Sequence, residues 1–185
     1  MRFGLAVAVA VAVVAAIPAG AQSPRTAAPC GFSLSGTAGT PRVTGPDDLV
    51  AWLTVVPQPD SPVDIIAVDL TKMAVSIEGS SYREDRGSEY SVSLRNRSDQ
   101  PVSQVDGMVL FRVVGQRGDG AGGTGWSWKG TLMPGETVRT VSRSGGGSGR
   151  NAEGDVTLST TVDRVVFKDC VYEPSKSYWS PAAPR

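Results

Sequence analysis

Two cysteines and no histidine frame the chemistry open to this chain. Without imidazole there is no side chain that titrates near neutral pH unaided, no Ser-His-Asp arrangement, and none of the commonest metal ligand. A cysteine nucleophile would lack its partner base as well. Cys30 and Cys170 are even in number and show no Cys-x-x-Cys spacing, so they read as one structural disulfide rather than a redox couple or a zinc site. The alternative is two unpaired thiols. In the chain-entropy account, a bridge closing so long a loop contributes about 4–5 kcal/mol.

Carboxylate pairs are the remaining route to catalysis, since two acids can cleave a glycosidic bond. The candidates are Asp47-Asp48, Glu84-Asp85 and Asp119. All lie in turn or loop sequence, where a solvated acid is the ordinary case. A carboxylate-dependent hydrolase is therefore the third reading of function. Gly118-Asp-Gly-Ala-Gly-Gly-Thr-Gly has glycines at the intervals of a phosphate loop. Such a loop needs a strand before it and a helix after it, and a Trp-rich strand follows instead. Nor does it repeat the acidic ligands of a calcium site. No catalytic residue, metal or cofactor is assigned. Trp126 and Trp128 share one face of a strand. Turned outward they form a platform for a sugar ring; turned inward they are core, the reading that the large apolar area of tryptophan favours. Asn96-Arg97-Ser98 has the pattern of a glycosylation acceptor, but its turn chemistry accounts for it.

The elements that would position these residues begin after an export leader. Met1-Arg2 gives a positive start, Phe3–Ile17 is apolar throughout, and Ala19-Gly20-Ala21 offers small residues at a cleavage site before Gln22. The apolar run is shorter than the roughly 20 residues of a spanning helix. The expectation is a cleaved leader, residues 1–21, and a periplasmic or secreted product with no stable membrane insertion. Removing Arg2 leaves the mature chain one negative charge from neutrality, with no electrostatic reason to seek nucleic acid.

Residues 22–62 are rich in Pro, Ala and Gly and read as a largely flexible lead-in. Within it, Phe32 and Leu34 alternate as a short strand would. Pro46–Leu53 carries acids near its start and fits a one- or two-turn helix, with Trp52 anchoring it to the core. Pro57, Pro59 and Pro62 enforce an extended connector. The β-domain proper spans 63–173. Its expected strands are Val63–Glu78, Tyr90–Arg95, Val102–Val114, Trp126–Leu132, Thr137–Ser142 and a last run from Val156, with a bulge at Asp163-Arg164 where the apolar phase changes. Ser80–Ser88 reads as a polar turn, Gly115–Gly125 as a mobile loop, Met133-Pro-Gly-Glu as a tight turn, and Ser144–Gly149 as a second glycine loop. Residues 174–185 form a tail that is polar apart from Tyr178-Trp179. The fold class is all-β: an antiparallel immunoglobulin-like β-sandwich behind a flexible N-terminal lead-in, with a small barrel as the competitor.

Tyr90-Ser-Val-Ser-Leu-Arg-Asn-Arg-Ser-Asp-Gln-Pro-Val-Ser, followed by a β-run and then by Gly130-Thr-Leu-Met-Pro-Gly-Glu-Thr-Val, resembles bacterial extracytoplasmic domains of the FxLYD kind. Those are similar to fibronectin type III and immunoglobulin sandwiches. Met108-Val-Leu-Phe-Arg stands where the naming Phe-x-Leu-Tyr-Asp run would fall. Val165-Val-Phe-Lys-Asp-Cys is similar to a Val-x-Phe-x-Asp-Gly ending in secreted bacterial proteins, with Cys170 in place of the Gly. The resemblance implies a sandwich and brings no catalytic residues. The functional expectation is a non-enzymatic secreted or periplasmic binding or structural module with an unidentified protein or glycan partner. The alternative is a carbohydrate-binding or adhesive domain using Trp126 and Trp128, beside the adaptable glycine loop.

Overall fold

The computed structural model describes residues 30–78, 81–115, 120–143, 147–149 and 154–174. The expected leader and cleavage site, Asp119 and Tyr178-Trp179 lie outside them.

Alternating apolar residues build two principal sheets whose inner faces meet. In the first, β3 (Val63–Lys72) pairs with β6 (Glu89–Asn96), and β6 with β9 (Thr137–Arg143), all antiparallel. The second joins β8 (Gly120–Leu132), β7 (Val102–Gly115), β11 (Gly154–Val166) and β12 (Val171–Tyr172) in that order, also antiparallel. Val68, Val92 and Leu94 from the first sheet and Val105, Trp126, Val162 and Val165 from the second are buried in one core. Apart from Val68, which the register shift between Ile65 and Ala67 turns inward, these are residues that the period-two pattern marks as inward. The register of β11 against β7 shifts between Val162 and Arg164, so the expected bulge is present. The turn after β8 is closed by the Glu136 amide donating to the Met133 carbonyl, with Gly135 at φ 80°. Proline at its second position and glycine in the left-handed region at its third make this a type II turn.

Several expectations need correction. The sandwich is not purely antiparallel, because each principal sheet gains a short parallel strand from residues 42–55. β1 (Arg42–Thr44) lies alongside Ala67–Asp69 of β3, and β2 (Leu53–Val55) alongside Leu158–Thr160 of β11. Between them stands α1 (Asp47–Trp52), the short helix expected, with Leu49 buried and Trp52 packed on the core. The described part of the lead-in is thus integral to the fold. The expected polar turn at Ser80–Ser88 contains β5 (Ser81–Glu84), which forms a hairpin with β4 (Val75–Glu78). Both glycine loops also contribute strand. Gly120–Gly125 pairs with β7, and β10 (Gly147–Gly149) pairs with β5 to complete a third, three-stranded sheet. Glycine supplies backbone donors and acceptors like any other residue, so a paired partner can recruit it into a ladder that its side chain does not signal.

One end of the sandwich is sealed by the Cys30–Cys170 disulfide, which the structure contains. It fixes Phe32 between Phe167, stacked at 5.3 Å, and Tyr172, edge-on at 5.2 Å. Residues 33–35 then run along the crossover from β6 to β7. The Ser35 amide donates to the Arg97 carbonyl and the Asp99 amide to the Ser33 carbonyl.

Candidate functional site

Connector 56–62 crosses from the second sheet to the first, and two of its side chains finish strand edges. The Gln58 amide nitrogen donates to the Val162 carbonyl while its oxygen accepts from the Val162 amide, both at 2.8 Å. The Ser61 hydroxyl does the same for Val63, donating to its carbonyl at 2.7 Å and accepting from its amide at 3.3 Å. Both side chains are buried. Each acts as a one-residue strand, which satisfies backbone groups that would be costly to leave unmatched.

Beside this connector, where β1 and β2 flank opposite sheets, a cleft of about 440 Å³ opens. One part of its lining is Ala38–Pro41 with Val43 of β1. Another is Leu53 and Val55 of β2 with Val56, Pro57 and Gln58, and Val63–Ile65 of β3 completes it. The volume falls in the usual range for ligand sites, roughly 300–1,000 Å³. Most of the wall is apolar. Its charged residue, Asp64, is buried, and both oxygens are taken: Arg97 donates to Oδ1 and Arg95 to Oδ2, each at 2.9 Å. Arg97 is itself buried and also donates to the Gly36 carbonyl at 3.1 Å. Its Nε has no partner among the described residues. The cleft therefore offers apolar contact and short flanking strands, with its carboxylate already neutralised.

The residues singled out from sequence fall elsewhere. Trp126 is 3% exposed. Its indole lies across Gly107, where an added Cβ would stand 2.0 Å from the ring, and its N–H donates to the Thr160 hydroxyl at 3.3 Å. Trp128 is half-buried and packed against the core, with its ring over Gly130. Trp126 thus takes the inward reading, while Trp128 packs on the core and keeps part of its surface exposed. Among the acids, Asp47 is exposed at the start of α1, Glu84 is in β5, and Asp85 is exposed and 3.7 Å from Arg83. None lines the cleft. Gly120–Gly125, the described part of the phosphate-loop pattern, is strand.

Asn96, which turn chemistry alone explained in the sequence, is fully buried. Its amide nitrogen donates to the carbonyls of Gln100 and Leu132, and its oxygen accepts from the Ser98 amide and hydroxyl. A glycan cannot be attached to a side chain so enclosed.

One carboxylate pair escaped the sequence reading. Asp106 on β7 and Asp163 on β11 lie across a bulge, far apart in the chain. Burial pushes the Asp163 carboxyl up; the hydrogen bond from Thr161 opposes this and the charge on Asp106 adds to it. Asp106 accepts from Ser127 at 2.6 Å and pairs with Arg164 at 3.4 Å. Neither acid lines the cleft. Among the described residues no cluster of three or more His, Cys, Asp or Glu could hold a metal, and no helix is long and apolar enough to cross a membrane. Comparison with protein-family models, with curated proteins and with solved structures finds no match to this chain.

Proposed function

We propose that this chain is a non-enzymatic, exported binding module of immunoglobulin-like type, which holds an extended apolar segment in the cleft between β1 and β2. The observation that carries the binding reading is the cleft itself: apolar walls, a strand on either side, and an acid whose two oxygens are held by arginines. Extended segments suit such places because neighbouring strand backbone supplies hydrogen bonds while pockets take alternate side chains.

The strand order supports the immunoglobulin-like reading. β3-β6-β9 corresponds to A-B-E, and β8-β7-β11-β12 to C′-C-F-G. β2 takes up the edge of β11 beyond the short β12. The two sequence stretches that carry the FxLYD resemblance also meet in space, since Asn96 bonds the Leu132 carbonyl and exchanges backbone bonds with Gly135 and Glu136. The disulfide fits an oxidising compartment, in keeping with the leader-like 1–21.

Capture from the native envelope or medium tests the reading. Val56 lines the cleft but is not among the residues of the core. Val56→Asp is expected to leave melting nearly unchanged and to abolish capture of partners that the unaltered chain retains. Equal capture by both proteins would remove the cleft from the binding surface.

A further inference from the structure

We infer that two copies of this chain pair edge to edge through β9, which extends the first sheet across a two-fold axis at Thr140. The phase of the hydrogen bonds along β9 carries the first step. The Asn96 amide donates to the Glu136 carbonyl at 3.0 Å, and the Asn96 carbonyl accepts from the Gly135 amide at 2.9 Å. Bonded positions alternate along an antiparallel ladder. Leu94, Val92 and Tyr90 therefore exchange bonds with Val138, Thr140 and Ser142, their partners in the register. The amides and carbonyls of Thr137, Arg139, Val141 and Arg143 point the other way. Among the described residues, β9 pairs with β6 alone, and nothing bonds its outer edge. The edge of β8 differs. Its carbonyls at Thr124, Gly125 and Ser127 accept from the hydroxyls of Tyr90, Ser142 and Thr140 at 3.0, 3.1 and 2.8 Å. One edge is thus blunted by side chains and the other is open, and an open edge is a template for a further strand.

The sequence of β9 fits a second copy of itself. Two antiparallel copies bond through residues whose backbone faces outward on both, so odd-numbered positions lie opposite odd-numbered positions. With the axis at Thr140, Thr137 faces Arg143 and Arg139 faces Val141, each twice by symmetry. No like charges are opposed. An axis one residue earlier sets Arg139 against itself, and one residue later sets it against Arg143. Like charges directly opposite are destabilising, and larger shifts leave fewer pairs. Both arginines also have their charge matched within their own chain. Arg139 donates to Ser91 at 2.7 Å and to Asp69 at 3.0 Å, and Arg143 to Glu89 at 3.1 Å. Val141 is 52% exposed, a large apolar side chain on a polar face. In this register the aliphatic stem of the partner's Arg139 covers it. The cleft lies at the β1 end of the sheet and β9 at the other, so the pairing is independent of cleft binding.

The test is sedimentation equilibrium on residues 22–185 with the disulfide intact, carried to millimolar concentration. A reversible monomer–dimer equilibrium is expected. Val141→Pro removes an amide that faces away from β6, so the chain's own ladder loses no bond, and edge strands tolerate proline in that position. It should weaken the dimer by about tenfold or more, because a symmetric interface loses the donor twice. Two surface substitutions carry the test if the proline variant does not fold. Val141→Glu sets a carboxylate against the partner's Arg139, and Val141→Arg sets a like charge there. The glutamate variant should dimerise more tightly than the arginine variant by about tenfold. A chain that stays monomeric throughout leaves the edge to a strand of some other protein and overturns the inference. So does a dimer that folded Val141→Pro leaves intact, or glutamate and arginine variants that associate equally or in the reverse order.

Discussion

Asp163 sits on β11 beside the bulge, with its carboxyl drawn out of water and Asp106 adding repulsion. A carboxyl whose folded value lies above its unfolded value binds its proton more tightly in the folded state. The penalty for its charge is therefore fully present above the raised value. It fades as pH falls through the raised value and is gone below the ordinary 3.8. Asp163→Asn keeps an oxygen for the Thr161 hydroxyl and removes the charge. It is expected to be more stable than the unaltered chain at neutral pH, with the gap closing toward acid; urea melts across that range check this. A gap independent of pH would contradict it. Little of this is legible in sequence. Asp106 and Asp163 belong to different strands, and only the ladder brings them near each other. Asn96 and Arg97 are hidden likewise, because polar residues in turn sequence read as solvated until residues 33–36 are known to cover them.

At the scale of elements, the principal sheets were readable wherever one face is buried and the other is wet. Tyr90, Val92 and Leu94 show this, as does the phase change that marks the bulge. Elements recruited by a neighbour's backbone were not readable: the glycine half of β8, β10, and polar β5 carry no apolar alternation. The connector expected to be extended turns at Pro59-Asp60, where the Ser61 amide donates to the Gln58 carbonyl, and the work of Gln58 and Ser61 is not legible either, since a glutamine that mimics strand backbone looks like any other in sequence. Gln58→Leu preserves bulk and strips the Val162 amide and carbonyl of their partners. Stranding buried polar groups costs about 1–3 kcal/mol each. The expected result is a lowered melting temperature and faster amide exchange at Val162. An unchanged exchange rate would mean that water replaces the side chain.

Across the whole molecule, the disulfide, the integral residues 30–62 and the two sheets form one frame, and the cleft lies where the added strands β1 and β2 flank it. No local pattern announces such a site, because its walls come from three separated stretches of chain. The sequence did point to tryptophans, and the fold spends Trp126 on its core. The cleft is proposed to take an extended apolar segment. Methyl NMR tests it most directly, on residues 22–185 titrated with a short synthetic peptide of alternating valine and threonine. Saturable shifts are expected at Leu53, Val56 and Ile65, with Leu94 and Leu132 unmoved. Cleft methyls that stay still, or shifts centred on Trp126–Leu132 instead, would contradict it.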